Sequence, residues 1–243
     1  MVNILLPSMG SSAFFADAFF PKPMIEINGR TMLERIVENF STVPDGRLIF
    51  IYRGSECRKF HLDDSVRLLT ESQAEVIMLE EDTAGALCTS LLAIDYIDGE
   101  APLVIANADQ IIDVDYAEVL KHFEDEQADG GVISFGNIHP RWSYLRAEQG
   151  VITEVAEKRP LSKHAIAGFY YYRHGSDFIQ AAEQAILKQE SVNGTYYLSA
   201  ALNEMNLMGR RLVYYEVPSS AYHSFYSPAK ISEYERGISH ASR

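Results

Sequence analysis

Residues 102–113 read P-L-V-I-A-N-A-D-Q-I-I-D, a short apolar run followed at once by polar side chains. Leu103–Ala106 is unbroken and β-branched at its centre, which is typical of a strand buried on both faces of a parallel sheet. Asn107 and Asp109 then follow the carboxyl end of this strand, where open α/β sheets bind ligands. Asp109 is therefore a candidate ligand for a Mg²⁺ ion that bridges a carboxylate and a phosphate. The alternative is that Asp109 only caps the next turn.

Strands and helices are expected to alternate on both sides of this stretch. The strands predicted from apolar runs are Ile4–Pro7, Met24–Ile27, Arg47–Tyr52, Val76–Leu79 and Val132–Phe135. Thr31 and Glu34 form a capping box that predicts a helix start, and another helix is expected from Thr83 through Ile94. The alternation predicts an α/β fold with a Rossmann-like mixed, mostly parallel sheet and helices on both faces.

The pattern changes in the second half of the chain. Tyr144–Arg146 and Val151–Val155 alternate apolar and polar residues around a Gln149-Gly150 turn, which predicts an antiparallel hairpin added at one edge of the sheet. A further strand is expected at Ala167–Tyr172, where Gly168 would let a ligand approach the backbone. No repeat or linker interrupts the sequence, so we expect the whole chain, residues 1–243, to form one domain.

Composition excludes several classes of function. The 243 residues carry a formal charge of −13 at pH 7, and because nucleic-acid-binding proteins need a basic surface, no nucleic-acid partner is expected. No apolar run reaches the roughly 18 residues of a membrane span. Met1-Val2-Asn3 leads straight into a strand without the basic segment of a signal peptide, so we expect a cytoplasmic protein without membrane contact. Cys57 and Cys88 lack partners at metal-ligand spacing and are expected to be reduced, buried thiols.

Other polar residues form weaker patterns. The loop after the first strand contains Gly10, Ser11 and Ser12, whose backbone amides could cradle a phosphate, although an ordinary turn has the same composition. Asp113-Val114-Asp115 spells the D-x-D of glycosyltransferases, but we interpret it as the polar start of a helix over Tyr116–Phe123. The seven histidines show no zinc-ligand spacing, so the sequence does not predict a zinc site.

Several sequence blocks cover nearly the whole chain. They read I-L-L-P-S-M-G-S-S, P-K-P-M-I-E-I-N-G-R-T-M-L-E-R-I-V-E-N, T-A-G-A-L-C-T-S-L-L-A, P-L-V-I-A-N-A-D-Q-I-I-D, H-P-R-W-S-Y, V-A-E-K and V-N-G-T-Y-Y. In these blocks the chain resembles the sugar-phosphate nucleotidyltransferases. The resemblance is greatest to the branch found in bacterial capsule and surface-polysaccharide clusters, which includes cytidylyltransferases of phosphorylated small molecules. It implies a Rossmann-like fold related to that of the glycosyltransferase A enzymes. The implied reaction joins an NTP to a phosphorylated acceptor and releases pyrophosphate, with Mg²⁺ as cofactor. The sequence leaves a homo-oligomer open and names neither the base, nor the acceptor, nor the oligomeric state.

The resemblance also assigns roles to individual residues. Asp109 matches the metal-binding aspartate, Lys22 the lysine that meets the triphosphate, and Lys158 the lysine that meets the acceptor phosphate, so these three are the expected catalytic residues. The expected nucleotide-binding residues are Gly10, Ser11, Ser12, Thr83, Ala84, Gly85, Ala86 and Asn107. The expected acceptor-binding residues are Glu157, Gly168, Asn193 and Gly194. Without the resemblance, Lys22 and Lys158 would be interpreted as solvated surface lysines.

Three positions depart from the pattern of these enzymes. Their loop usually reads G-x-G-x-R-F, whereas here Gly10 begins G-S-S-A-F-F, without an arginine to clamp phosphate. Their V-N-G-E-Y-Y acid is Thr195, and the late segment that supplies a second metal carboxylate in some members begins here at His223 and carries Ser224. Removal of one oriented donor typically costs about 3 kcal/mol of transition-state stabilisation, so these losses together could abolish useful turnover.

The sequence therefore leaves three functions open. The first is a nucleotidyltransferase that makes surface-polysaccharide precursors, and the second is a catalytically weakened homologue that binds nucleotide or sugar phosphate as a regulatory or scaffold subunit. The third, a glycosyltransferase, rests on shared fold alone. Phe14, Phe15, Phe19 and Phe20 bear on the choice, because four aromatic rings cannot all be solvated without forming an exposed patch. We expect them to pack beneath the loop; the alternative is that they fill the nucleotide cleft or meet a partner.

Overall fold

A nine-stranded mixed sheet runs through the part of the chain described by the computed structural model, residues 1–10 and 13–241. The strands of the molecule are β1 Val2–Pro7, β2 Glu26–Ile27, β3 Arg30–Thr31, β4 Gly46–Arg53, β5 Glu75–Leu79, β6 Leu103–Ala106, β7 Gln110–Ile112, β8 Gly130–Gly136, β9 Ser143–Glu148, β10 Val151–Glu157, β11 His164–Tyr172, β12 Leu212–Val217 and β13 Tyr222–Ser224. The helices are α1 Met32–Asn39, α2 Gly54–Phe60, α3 Leu62–Leu69, α4 Ala86–Leu91, α5 Ile94–Ile97, α6 Tyr116–Asp125, α7 Gly175–Leu187, α8 Leu198–Leu207 and α9 Pro228–Ala241. Short 3₁₀ turns occupy Ala13–Phe15, Lys22–Met24, Phe40–Thr42 and Ser219–Ala221.

The strand order confirms the predicted α/β fold with a mixed sheet. The order is β5-β4-β1-β6-β11-β8-β12-β10-β9, and the first four strands are parallel to one another, as are β8 and β12. The predicted hairpin is also confirmed, because β9 and β10 pair in antiparallel fashion at one edge.

The position of β11 was not predicted from the sequence. This strand lies in the middle of the sheet, antiparallel to both β6 and β8. No helix separates β8 from β11, only the β9–β10 hairpin. A parallel pair needs a long crossover, usually a helix, so without one β11 returns along the sheet in the opposite direction.

Both faces of the sheet are buried, as the apolar run of residues 103–106 predicted. All four residues of β6 are buried, and neighbouring residues belong to different hydrophobic clusters: Val104 to one, Leu103 and Ile105 to the other. The same alternation holds in β1, where Leu5 and Leu6 point into opposite clusters. Burying one such side chain contributes about 2 kcal/mol, so this layered core fixes the strand register that positions the loops at the sheet edge.

Local signals account for the starts of α1 and α6. Thr31 Oγ1 accepts a hydrogen bond of 3.2 Å from Glu34 N, and Thr31 N donates one of 2.6 Å to Glu34 Oε2, which confirms the predicted capping box. The hydrogen bond from the Thr31 backbone also lowers the pKa of Glu34. Asp115 Oδ1 accepts a hydrogen bond of 2.9 Å from Ala117 N at the start of α6, so the D-x-D triplet is the start of a helix, as predicted.

The predicted helix from Thr83 through Ile94 is wrong at its beginning and in its length. The helix starts at Ala86 and is interrupted between α4 and α5. Gly85 has a φ of 130°, and Tyr196 N donates a hydrogen bond of 2.7 Å to Ala84 O, so residues 83–85 form a loop held by a distant segment.

The two cysteines agree in part with the predicted properties. Cys57 and Cys88 are free thiols; Cys57 is buried as expected, whereas Cys88 is only partly buried. Burial raises the pKa of Cys57 to about 11, which keeps this thiol protonated near neutral pH. Among the described residues, no helix combines the length and the apolar character that a membrane span requires.

Candidate active site

The carboxyl ends of β1, β4 and β6 meet at one edge of the sheet, because these three neighbouring strands are parallel. A cleft of about 490 Å³ opens at this edge. Seven of the residues singled out from the sequence line it: Gly10, Lys22, Thr83, Gly85, Ala86, Asn107 and Asp109. The fold thus brings together residues from four separate sequence blocks. Ser11 and Ser12 lie outside the described residues.

Lys22 and Asp109 form an ion pair inside the cleft. Lys22 begins the 3₁₀ turn Lys22–Met24, with prolines on both sides that restrict its backbone. The two side chains are 20% and 32% exposed, so a ligand in the cleft can reach both. The cation predicted to meet phosphate and the carboxylate predicted to meet metal are therefore direct neighbours.

Asp109 sits in a turn that β11 and β13 hold in place. Gly168 O accepts hydrogen bonds of 3.0 Å from Asn107 N and 2.9 Å from Gln110 Nε2. Asn107 Nδ2 donates to Gln110 Oε1 at 3.3 Å, and Phe225 N donates to Asp109 O at 2.8 Å. Both flanks of the turn are thus fixed by backbone groups from elsewhere in the chain.

Gly168 lies against this turn in a conformation that suits glycine. Its φ is +60°, and a Cβ built on it would lie 2.1 Å from Asn107 Nδ2 and 2.8 Å from Gln110 Oε1. Its contacts place Gly168 beneath the Asp109 turn. In the described structure it does not line the cleft.

The segment with Ser224 runs beside the same turn. Ser224 pairs with Gln110 in the β7–β13 ladder, and Tyr222 OH donates a hydrogen bond of 3.1 Å to Gln110 Oε1. Burial, followed by the negative charge of Asp109, raises the pKa of Tyr222, so its hydroxyl stays neutral. The position that carries a second carboxylate in some resembling enzymes is thus a serine that pairs with Gln110, the residue after Asp109, and it does not line the described part of the cleft.

The loop at residues 83–86 is shaped by contact with the V-N-G-T-Y-Y block. Thr83 Oγ1 lies 2.6 Å from Thr89 Oγ1, and Leu87 N donates a hydrogen bond of 3.2 Å to Tyr196 O. A Cβ at Gly85 would lie only 2.4 Å from Tyr196 O. Glycine is therefore required at this position by close packing as well as by its positive φ.

Glu157 and Lys158 lie outside the lining of the cleft and contact the segment at residues 197–199. Glu157 accepts hydrogen bonds from Ser143 Oγ at 2.5 Å and from Ser199 Oγ at 2.8 Å. Lys158 Nζ donates to Tyr197 OH and lies 4.6 Å from the centre of that ring. None of the expected acceptor residues lines the described part of the 490 Å³ cleft. Tyr197 follows Tyr196 directly, so the two groups of residues are joined through the V-N-G-T-Y-Y block.

Asn193 and Gly194 form the turn that begins this block. Their φ values are 53° and 76°, and Val192 and Thr195 exchange hydrogen bonds of 3.0 and 3.1 Å across the turn. A Cβ at Gly194 would meet open space. The visible role of these two residues is to reverse the chain before Tyr196.

Three charged residues of the cleft were missed in the sequence. Arg53, Glu56 and Asp82 line it, and Arg53 is paired with Asp82. Burial raises the pKa of Glu56, and the charge of Arg53 opposes this shift. Arg53 could have been found by the argument that selected Asp109, since it directly follows a predicted buried strand.

The residues at the cleft fit a magnesium ion that is held mainly by its ligand. The described residues contain no group of three or more His, Cys, Asp or Glu side chains able to hold a metal. Mg²⁺ usually keeps several waters and binds through one or two carboxylates plus substrate phosphates. Asp109, an accessible carboxylate that lines the cleft beside Lys22, fits that pattern.

The aromatic loop residues are mostly exposed, contrary to the expectation that the rings pack beneath the loop. Phe14, Phe19 and Phe20 are 64%, 77% and 51% exposed, and only Phe15 packs against the core. Phe19 and Phe20 instead contact each other and Phe60, with ring centres 4.9 to 6.4 Å apart. None of these rings lines the cleft in the described structure, so they do not block it.

A second cavity, of about 790 Å³, lies between the H-P-R-W block and the C-terminal segment. Its walls include Arg141, whose guanidinium lies 3.3 Å from the centre of the Tyr226 ring, and Trp142, which packs edge-on against Tyr222. No residue singled out from the sequence as catalytic or ligand-binding lines this cavity among the residues the structure describes.

Comparisons with known proteins agree with this geometry. Residues 18–213 match the sequence pattern of the family described as nucleotidyl transferase. A nucleoside-diphosphate-sugar pyrophosphorylase from Vibrio cholerae RC9 has a similar structure, with a TM-score of 0.81 and 22% identity over 97% of this chain and 100% of that one. A protein from Bacillus anthracis described as a glucose-1-phosphate thymidylyltransferase has a TM-score of 0.76 and 17% identity over 97% of this chain and 94% of that one. A UDP-glucose pyrophosphorylase from Acinetobacter baumannii has a TM-score of 0.72 and 16% identity over 97% of this chain and 92% of that one. No curated protein matches in sequence.

Proposed function

Since this chain belongs to the nucleotidyl transferase family, we propose that it transfers a nucleoside monophosphate from an NTP to a phosphorylated sugar or small metabolite and releases pyrophosphate. The observation that carries this proposal is the Lys22–Asp109 ion pair in the cleft at the carboxyl ends of three parallel strands. A cation and a carboxylate at that edge suit a metal-bound triphosphate.

The reaction is an in-line displacement at phosphorus. An oxygen of the acceptor phosphate attacks the α-phosphorus, the new P–O bond forms, and the bond to the β-phosphate oxygen breaks to release pyrophosphate. The protein contributes mainly position and charge. Lys22 would bind the triphosphate, and Gly10 would bring its loop close to the phosphates. A Mg²⁺ ion held by Asp109 would neutralise charge on the phosphates.

Two groups of residues would hold the two substrates. The loop at residues 83–86 and Asn107, which lie at the cleft or against it, are proposed for the nucleotide. Lys158 is proposed for the acceptor phosphate and Glu157 for a hydroxyl or amine of the acceptor. Ser143 and Ser199 orient the Glu157 carboxylate by hydrogen bonds, which supports a positioning role for both serines.

The wider role is part of the same proposal. Two of the structural neighbours are pyrophosphorylases that act in nucleotide-sugar chemistry by name. A sugar phosphate is therefore the first acceptor class to test, with surface-polysaccharide precursors as product and the cytoplasm, which supplies NTPs, as location. One sheet contains strands from Val2 to Val217, which supports a single working domain.

A second candidate function is a nucleotide-binding subunit with little or no turnover. It is favoured by Ser224, which pairs with Gln110, the residue after Asp109, and has a hydroxyl where some resembling enzymes carry a second metal carboxylate. Asp109 alone would then have to hold the ion with the help of the nucleotide.

Pyrophosphate release tests these functions. The four common NTPs are combined with a panel of sugar phosphates and phosphorylated small molecules in the presence of Mg²⁺. We expect one pair to give pyrophosphate, and Asp109→Asn to lower the rate by a factor of about 10² to 10³. The unfolding free energy should change by less than about 1 kcal/mol, because a partly exposed ion pair contributes little.

Asp113→Asn is the matched control, because Asp113 lies in the same stretch and its carboxylate bonds His223 outside the cleft. Equal rates for the Asp109 and Asp113 variants would contradict the metal assignment. If nucleotide binds but no substrate pair releases pyrophosphate, the second candidate function, a nucleotide-binding subunit, is supported instead.

A further inference from the structure

The cleft contains a second cation whose position the loop sequence did not indicate. Arg53 and Lys22 are the two basic side chains among the described residues that line it. Arg53 ends β4, which pairs in parallel with β1 in a register that sets Pro7 opposite Ile51. The loop that begins at Ser8 therefore passes beside Arg53, and Ser8 N is bonded to Ile51 O at 2.9 Å.

The guanidinium of Arg53 is fixed between this loop and an exposed carboxylate. Arg53 Nη2 donates a hydrogen bond of 2.7 Å to Met9 O, and Arg53 Nη1 pairs with Asp82. The Arg53 side chain is 27% exposed, whereas that of Asp82 is 64% exposed. The contact with Met9 is thus the sheltered one, and the contact with Asp82 faces water.

A guanidinium has more donors than these two contacts use. It carries five N–H groups in a planar fork that matches the oxygens of a phosphate. Because Met9 directly precedes Gly10, the bond to Met9 O holds the fork beside the residues expected to cradle phosphate. The loop itself has no arginine between Gly10 and Phe20, so its own sequence provides no such fork.

We propose that Arg53 binds the phosphate chain of the nucleotide, replacing the loop arginine that this chain lacks, and that Asp82 is the partner it exchanges for phosphate. This inference rests on the proposed function, because it concerns the same cleft. It makes Arg53 a substrate-binding residue carried by a rigid strand end instead of by the loop.

The competing explanation is that Arg53 only braces the loop. A brace needs one hydrogen-bond donor toward Met9 O and no charge, whereas a phosphate ligand needs the charge. Arg53→Gln separates the two, because the glutamine amide can donate a hydrogen bond but is neutral. Arg58→Gln is the matched control, because Arg58 lies on α2 one residue after Cys57, binds Glu80 at 2.7 and 2.8 Å and does not line the cleft.

The probe is inorganic tripolyphosphate with Mg²⁺, measured by calorimetry, which requires no knowledge of the base or the acceptor. We expect Arg53→Gln to weaken its binding by a factor of about ten or more, the range for loss of a charged hydrogen bond, and Arg58→Gln to change it less than twofold. Unchanged affinity in Arg53→Gln, or no binding of tripolyphosphate to the wild-type protein, overturns the proposal.

A second variant tests the exchange of partners and does not depend on the stability of the first. Asp82→Asn should strengthen tripolyphosphate binding severalfold, because the carboxylate no longer competes for Arg53. In the Arg53→Gln variant, the same Asp82→Asn substitution should increase the affinity for tripolyphosphate by less. A general charge effect would give the same increase in both backgrounds, so a smaller increase shows that the two residues are coupled. Equal gains in both backgrounds would contradict the exchange.

The experiments test the role of Arg53 separately from the proposed transferase activity. Arg53-dependent binding of tripolyphosphate without pyrophosphate release from any substrate pair would keep the Arg53 assignment and reject turnover. Pyrophosphate release with an affinity for tripolyphosphate that is the same in Arg53→Gln would keep the enzyme and reject the Arg53 assignment.

Discussion

Gly168→Ala tests whether the β11 backbone shapes the turn that carries Asp109. Alanine at a φ of +60° pays a conformational cost of about 1 to 2 kcal/mol. Its Cβ would also lie 2.1 Å from Asn107 Nδ2, 2.7 Å from Asn107 Cγ and 2.8 Å from Gln110 Oε1, so both side chains must move. Overpacking of this kind costs about 1 to 3 kcal/mol. The expected total is a loss of about 2 to 5 kcal/mol of unfolding free energy.

Gly150→Ala is the control for the backbone part of this cost. Gly150 has a similar φ of +82° in the β9–β10 turn, and a Cβ there would meet open space. Urea unfolding followed by circular dichroism measures both variants, and the difference between them isolates the clash at about 1 to 3 kcal/mol. At low urea the folded Gly168 variant should also bind Mg²⁺-NTP more weakly, because Asn107 and Asp109 share the displaced turn. A Gly168→Ala cost equal to that of Gly150→Ala would refute this reasoning.

Two further predictions concern charged residues. Lys22→Ala should weaken binding of the NTP more than binding of the acceptor, and Lys158→Ala should have the opposite effect. The apparent affinities for both substrates measure this, and equal effects of both variants on both substrates would refute the assignment. Burial raises the pKa of Glu56, so the stability this carboxyl contributes is fully present below its unfolded pKa and lost as pH rises through the folded value. Relative to Glu56→Gln, the wild type should therefore lose stability between about pH 4 and about pH 7 in thermal unfolding. Relative to Glu80→Gln it should instead gain stability as pH rises from acidic values to the ordinary glutamate pKa of 4.5, because the hydrogen bond from Arg58 lowers the pKa of Glu80. A loss of stability with rising pH relative to both variants would contradict the argument.

Most of the fold could be predicted because the local sequence patterns favour the same strands, helices and turns that tertiary packing stabilises. The run at residues 103–106 is apolar on both faces and became the buried strand β6. The Thr31–Glu34 capping box begins α1, and the Gln149-Gly150 turn joins the hairpin strands β9 and β10. In each case the signal lies within a few residues and needs no partner from elsewhere.

The features that were missed depend on contacts distant in sequence. The helix start at Ala86 instead of Thr83 is determined by Tyr196, more than a hundred residues later. The turn around Asp109 depends on Gly168, which reaches it only because β11 runs antiparallel beside β6. The residue pattern within residues 83–86, or within the Asp109 turn, does not predict the contact with Tyr196 or with Gly168.

The site could be predicted as a location better than as a set of contacts. The rule that ligands bind at the carboxyl ends of parallel strands selected Asn107 and Asp109, and both line the cleft. The same rule applied to β4 would have selected Arg53. The family pattern places its phosphate-binding arginine in the loop at Gly10, so the resemblance alone does not point to Arg53.

The charges of the cleft predict a preference for a metal-bound nucleotide over a bare polyanion. Its described lining carries two cations, Lys22 and Arg53, and three carboxylates, Glu56, Asp82 and Asp109. Both cations are already paired with carboxylates, so a triphosphate that entered alone would have to separate two ion pairs and would then face uncompensated negative charge. A divalent cation that enters with the phosphates provides a new partner for Asp109 and frees Lys22 for phosphate. We therefore expect the cleft to bind the complex of metal and nucleotide more tightly than the nucleotide alone, although the whole chain carries a formal charge of −13.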